Sequence, residues 1–334
     1  MMESGIRAKT EYGGFLPLEL NPGNEYFSVE PGRLMRFNSV KASLAYLFEL
    51  IGCSHIYIPY YYCPSTTEAI KKVVPTVSFY HVSENLEPLN VPDEEGIAVL
   101  LVDYFGVRNE ETIRWAHKFR HANVILDRAH DFFTDPLLEK NIYNIYSAKK
   151  FFGIPDGSYL ISNDLLPFVE AETDSYEYAD YLLLTYEQGT NAAYKRKKEA
   201  DQKIAENYGG MSKLSRGLLQ NVDYKRVRAS RESNYKVLHE LLGDMNELKL
   251  PEMTAAYQYP LLISNIGAII KKKLVADRIF VSTLWTGNEL MQNGNGFELN
   301  MAENCIFLPM DQRYDEQDMR YIAGKVRGLI HENS

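Results

Sequence analysis

Two short stretches hold the residues whose types and spacing suggest chemistry. Ile125-Leu126-Asp127-Arg128-Ala129-His130 places a carboxylate and an imidazole three residues apart at the end of an apolar run. Ser147-Ala148-Lys149-Lys150-Phe151-Phe152-Gly153 places a hydroxyl and two amines just before a Gly/Pro turn. A lysine at a strand end, followed by aromatics and a tight turn, can aim its amine into a cleft. Partial burial there would lower its pKa and make it a nucleophile toward an aldehyde. Lysine pairs near strand ends are also common as solvated turn residues. An acid at such a position commonly caps the next helix, and a single histidine is commonly a satisfied core residue. The types alone leave both readings open.

The elements that must position these residues follow from periodicity. Ser39 is a credible N-cap, and Val40, Leu44, Leu47, Phe48 and Ile51 recur at helical spacing, so a helix begins near Val40 with Gly52 able to end it. Its first turn, beside Ser39 and Lys41, offers free backbone N–H groups suited to a phosphate. His55 to Tyr61 reads as a strand entering the turn Tyr62-Cys63-Pro64-Ser65, and a helix follows from Thr66 to Lys72. Further strands are expected at Thr76 to Val82, Ile97 to Gly106, Asn123 to Asp127, Ile142 to Ser147 and Gly157 to Ser162, with a helix from Glu110 to His121. This alternation predicts an α/β fold with a mostly parallel, doubly wound sheet, in which ligands collect at the carboxyl ends of the strands. Asp127, the Tyr60-Tyr61-Tyr62 run and Lys150 all fall at such ends. Residues 1–32 lack periodicity and read as an arm lying on another surface. From Leu165 to Leu242 the chain reads as helices, the last running from Asp223 to Leu242. Strands then return at Tyr259 to Ser264, Arg278 to Trp285 and Cys305 to Met310, and a helix from Glu316 to Ile330 closes the chain. The boundary near 245 divides it into 1–245 and 246–334.

The 334 residues exceed one small core, and the content of 45% hydrophobic and 24% charged residues is that of a soluble globular protein. A net charge of -9 argues against nucleic acid as the main partner. The three cysteines, Cys53, Cys63 and Cys305, have neither metal-type spacing nor the count of a disulfide framework. No apolar run approaches the ~20 residues of a membrane span, and the N-terminus lacks a signal-peptide core, so a cytoplasmic location is expected.

Taken in order, four features resemble one known family: the helix start from Asn38 to Leu44, the turn from Pro59 to Ser65, Leu126-Asp127-Arg128-Ala129-His130, and the Ser147/Lys150 turn. The chain resembles the fold-type I pyridoxal-phosphate enzymes, specifically the DegT/DnrJ/EryC1/StrS sugar aminotransferases, over roughly residues 30 to 330. The stretches Arg278–Trp285 and Phe307–Met319 are similar to the small domain of its shorter members. The resemblance implies a large domain with a mostly parallel sheet between helices, a small C-terminal α+β domain, and pyridoxal 5'-phosphate as cofactor. By resemblance Asp127 would keep the pyridine nitrogen protonated so that the ring accepts electrons. His130 would lie near the ring or its hydroxyl. Ser147, with Ser39, Val40 and Lys41, would hold the phosphate, and Tyr62, next to Cys63, would supply the aromatic that stacks on the ring. Lys150, in preference to Lys149, would bond the aldehyde and carry the proton in transamination. The implied substrates are an amino donor, glutamate, and a keto-sugar on a nucleotide diphosphate; the implied assembly is a homodimer sharing its active sites.

The chain also departs from the family. The glycine at the helix start is replaced in Val40-Lys41. The family's Asn-x-Arg-Met segment appears as Tyr208-Gly209-Gly210-Met211, leaving Asn207 and Ser212 as replacements for the arginine. These changes keep two alternatives in view, a catalytically silent cofactor-fold protein and a pyridoxal-phosphate enzyme acting on another carbonyl substrate. Lys150 speaks against the dehydratases of the family, which carry histidine there. Lys195, Arg196 and the Trp285 to Asn288 loop read best as solvated surface.

Overall fold

The computed structural model describes residues 13–167 and 171–333. Eight strands form the main sheet: β1 (Leu34–Phe37), β2 (His55–Pro59), β3 (Thr76–Val82), β4 (Pro88–Leu89), β5 (Ile97–Val102), β6 (Asn123–Arg128), β7 (Ile142–Ser147) and β8 (Ser158–Ser162). Their order is β1-β8-β7-β6-β5-β2-β3-β4. The pairs β7–β6, β6–β5, β5–β2 and β2–β3 are parallel, while β8 runs antiparallel to both neighbours. All six residues of β5, Ile-Ala-Val-Leu-Leu-Val, are buried, as expected of a strand covered on both faces.

Helices α1 (Val40–Leu50), α2 (Pro64–Val73) and α3 (Asn109–Ala116) alternate with these strands. The Ser39 side chain caps α1 by accepting from the Ala42 N–H, and the helix buries Ala42, Ser43, Leu44, Leu47 and Phe48. After β8 come α4 (Asp180–Gln188), α5 (Thr190–Glu206), α6 (Lys213–Gln220) and the long α7 (Tyr224–Leu242), whose start is capped by Asp223. The remainder comprises β9 (Tyr259–Leu262), α8 (Gly267–Ala276), α9 (Asn288–Asn293), α10 (Gly296–Asn304), β10 (Cys305–Leu308) and α11 (Glu316–Asn333), with β9 and β10 pairing antiparallel. Among the described residues no helix is long and apolar enough to cross a membrane.

Two of the expected strands differ. Arg278 to Trp285 is not a strand: its ends, Arg278 (φ 63) and Trp285 (φ 67), lie in the left-handed region, and only Ser282 bridges to Phe307. The run from Ile97 stops at Val102, because Phe105 (φ 62) and Gly106 (φ 76) turn the chain sharply over the sheet end. The first twelve residues of the expected arm lie outside the described residues. Of the rest, Glu25 is fastened to Arg36 at 2.9 Å and to the Tyr159 hydroxyl at 2.6 Å, while Phe15, Leu16 and Leu18 are exposed. Phe27 packs 4.5 Å from Tyr146 and 5.1 Å from Phe132, tying the arm to the β7–β8 side of the sheet. Burying an aromatic of this size contributes about 1.5–3 kcal/mol.

Gly106 is a tight point of this frame, just past the end of β5. A Cβ there would lie 2.3 Å from the His130 carbonyl oxygen, on a backbone with φ of +76°. Gly106→Ala should therefore lower the free energy of unfolding by about 3 kcal/mol, through strain and a backbone collision. Urea unfolding of the variant checks this, and a loss below about 1 kcal/mol would contradict it.

Candidate active site

Asp127 sits at the end of β6 and is buried. One of its carboxylate oxygens accepts the Ala129 N–H at 2.9 Å, and the other accepts the hydroxyl of Tyr62, which is itself buried. Burial pushes its carboxyl up from the ordinary value, against the opposing effects of these two bonds and of the Lys150 charge.

His130 follows three residues later, 3% exposed. Its ring lies between Trp285, at 5.4 Å and 12°, and Tyr257, at 4.9 Å and 24°. Burial, then the nearby Lys150 charge, hold its pKa well below 6.5, so the imidazole is neutral. The Lys150 ammonium has no lone pair and stands 3.1 Å from His130 Nε2. Nε2 must therefore be the acceptor, and the proton of the neutral ring lies on Nδ1. That Nδ1–H is buried and has no partner among the described residues.

Lys150 ends the single 3-10 turn Ala148–Lys150 that follows β7. Its Nζ also stands 5.2 Å over the ring of Tyr257. The neighbouring Lys149 points elsewhere, donating to Asp201 of α5 at 2.7 Å. The Lys197 side chain reaches the same carboxylate at 2.6 Å. Of the two adjacent amines, only Lys150 faces the cluster at the strand ends.

Cys63 is the N-cap position of α2, half-buried, with its Sγ 3.5 Å from the Ser65 hydroxyl. Burial raises its thiol pKa, but hydrogen bonds from Ser65 and Thr66 and the charge of Lys150 outweigh this and leave it lowered.

The start of α1 meets this region along the sheet. Phe37 pairs with Ser158, and Ser158 with Ser147, so one row crosses β1, β8 and β7. Ser43 Oγ lies 2.8 Å from Ser158 Oγ, and Asn38 accepts the Gly157 N–H at 3.1 Å. Ser39 and the half-buried Val40 and Lys41 therefore stand at the same end of the sheet as the buried Ser147. Of the two expected arginine replacements, Ser212 is engaged through its side chain, while Asn207 is exposed and is held only through its backbone. The Asn207 carbonyl accepts from Asn38 at 2.6 Å, and Ser212 caps α6 with its N–H on Asp156 at 3.0 Å.

Trp285 corrects the reading of its loop as solvated surface. It is 9% exposed, and its ring packs on Tyr61 at 5.1 Å, Tyr104 at 5.8 Å and His130. Lys195 and Arg196 are exposed, as expected. Tyr257 and Phe105, the latter stacked 6.2 Å from His130, had no sequence signal. A cavity of about 1030 Å³ opens beyond Gly106, between α3 and the residues 249–255, and Asp127, His130 and Lys150 do not line it.

No protein-family model and no curated protein matches the chain. Its structure is similar to that of a DegT DnrJ EryC1 StrS aminotransferase from Brucella abortus, at 17% identity and a TM-score of 0.62, over 89% of this chain and 85% of that one. It is also similar to the aminotransferase TlmJ from Streptoalloteichus hindustanus, at 14% identity and a TM-score of 0.64, over 91% and 87% of the two chains. A third likeness is to the E. coli GDP-4-keto-6-deoxy-D-mannose-3-dehydratase with bound hydrated PLP, at 14% identity and a TM-score of 0.61, over 88% and 87%. The chain has the fold of these proteins, as the sheet order and the sequence resemblance imply.

The depressed pKa of His130 makes a signed prediction. Its contribution to stability is complete above the unfolded value near 6.5 and is lost as pH falls toward the folded value. Asp127, whose pKa is raised, acts with the opposite sign as pH rises from 3.8, and it is present in both proteins compared. His130→Asn should therefore lose less stability than the wild type between about pH 6.5 and pH 5 in urea unfolding. Parallel losses in the two proteins would contradict the neutral buried imidazole.

Proposed function

We propose that this chain is a pyridoxal-phosphate-dependent aminotransferase. The observation that carries the reading is the Lys150 amine held 3.1 Å from the neutral His130 imidazole, beside the buried Asp127 carboxylate. The donor set fits the cofactor. Asp127 offers a buried anion for a pyridine nitrogen, and the orphaned His130 Nδ1–H offers a donor for a ring oxygen. The capped start of α1 with Ser39, Val40 and Lys41, together with Ser147, offers N–H, hydroxyl and ammonium groups for a phosphate. When bound, the cofactor supplies an electron sink for the substrate's carbanion.

The remaining work falls to the chain's own side chains. Lys150 would be the amine that holds the cofactor by its aldehyde, and it would hold and move the proton that amino transfer shifts between two carbons. His130, neutral and buried, accepts a proton of the Lys150 ammonium in a hydrogen bond and so fixes where Nζ points. Trp285 and Tyr257 hold the imidazole between them and keep water from its faces. Tyr62 and Cys63 form the turn that borders the ring site. We place the cofactor-binding part at 1–245 and a smaller part, which brings in Trp285 and Tyr257, at 246–334.

The solved aminotransferases of this fold support amino transfer, and the resemblance of the chain to a sugar-modifying family supports a keto-sugar on a nucleotide diphosphate as acceptor. Glutamate is the proposed donor, and a cytoplasmic homodimer with shared sites the proposed assembly. Loaded with pyridoxal phosphate and mixed with glutamate, the wild type should release the corresponding keto acid in one stoichiometric turnover. Lys150→Ala should lower the rate by at least ~10³-fold, the scale of losing a positioned proton carrier. Lys149→Ala, whose amine is held by Asp201, should stay within about threefold. Turnover that survives in Lys150→Ala would sink the assignment.

A further inference from the structure

Tyr62 has a place in this site that stacking alone does not explain. It lies in the turn between β2 and α2, 3% exposed, with its ring 6.1 Å from Trp285. Its hydroxyl donates to one Asp127 oxygen while the Ala129 N–H occupies the other. The phenol is therefore bonded to the very carboxylate that a pyridine nitrogen would need. Burial and the adjacent carboxylate raise the phenol pKa well above 10, so Tyr62 remains a donor across the working pH range.

Resting on the cofactor reading above, we propose that Tyr62 is the exchange partner of the cofactor: its phenol satisfies Asp127 before loading and gives up that oxygen when the pyridine nitrogen arrives. A buried carboxylate left without a donor is costly, and an O–H···O⁻ bond is among the stronger hydrogen bonds. The phenol thus stabilises the unloaded protein and weakens cofactor binding by the strength of the bond that must be exchanged. Trp285 packs on Tyr62 at 6.1 Å and on the fully buried Tyr61 at 5.1 Å, so the phenol is held within a packed aromatic group. The resemblance assigned an aromatic at this turn to the face of the ring. A phenol that reaches the carboxylate at the ring's edge is an additional role, one that phenylalanine could not perform.

The test is a titration of wild type and Tyr62→Phe with pyridoxal phosphate, read by visible absorbance, and with an analogue lacking the aldehyde, read by fluorescence quenching. The analogue reports ring capture without the Lys150 bond. Tyr62→Phe should bind both ligands tighter by on the order of 10-fold, because the unloaded variant holds an unsatisfied carboxylate. Its unloaded form should also melt at lower temperature than unloaded wild type, with the difference shrinking on loading. Binding by the variant alone would support the exchange most strongly. Equal or weaker binding by the variant, with wild type binding normally, would overturn the exchange and leave the cofactor reading standing. Binding by neither protein would overturn both. Should Tyr62→Phe fail to fold, fluorotyrosine at position 62 of the otherwise wild-type chain gives the answer by fluorine NMR. Its resonance should move on adding the analogue, and a resonance that stays put while the analogue binds would overturn the exchange.

Discussion

A buried imidazole that cannot afford its charge is the constraint on which the site depends. His130 is enclosed by Trp285, Tyr257 and Phe105, and desolvation keeps it neutral. Neutrality makes Nε2 an acceptor, so the Lys150 ammonium has somewhere to point, and it assigns the remaining proton to an Nδ1 with no partner among the described residues. Were the ring charged, it would repel Lys150 and the contact would open. The aromatic enclosure is thus an electrostatic device as much as a packing one.

That enclosure comes from both ends of the chain. Phe105 turns off β5 with a positive φ, and Trp285 enters from the far C-terminal segment, also with a positive φ. Non-glycine residues in this conformation cost of order 1–3 kcal/mol and persist where surrounding contacts over-determine them. Both residues face His130, and they pack on each other at 5.9 Å and 26°. Two of the left-handed residues thus meet at the imidazole, which ties the position of the C-terminal segment to the geometry of the amine.

Much of this was legible in the sequence, and for identifiable reasons. Strands β3 and β7 begin and end where their apolar runs do, and Ser39 caps α1 as its type and spacing require. Asp127, His130 and Lys150 were legible as residues at or just beyond expected strand ends that match the motifs of the resembled family, and the parallel pairing of β6 with β7 is what brings those ends together. The preference for Lys150 over Lys149 rested on its place directly before the turn, whereas what holds Lys149 away, Asp201 on α5 fifty-two residues along the chain, had no local signal. The strand expected at Arg278 to Trp285 failed because its β-branched and aromatic content is real but its ends take left-handed backbone, which composition does not encode. Trp285 was read as surface for the same reason: a polar, glycine-bearing loop gives no hint that its first ring folds inward onto a histidine 155 positions earlier. Tyr62 was singled out as an aromatic, while its hydrogen bond to Asp127 spans two strands and is a tertiary fact.

The most direct test of the account is borohydride reduction of the purified protein in the presence of pyridoxal phosphate, followed by peptide mapping. The geometry predicts a visible absorbance band that reduction abolishes, and a cofactor adduct confined to Lys150. An adduct on Lys149 would contradict the orientation of the two amines. No band and no adduct would contradict the cofactor chemistry itself, leaving a fold without the activity proposed for it.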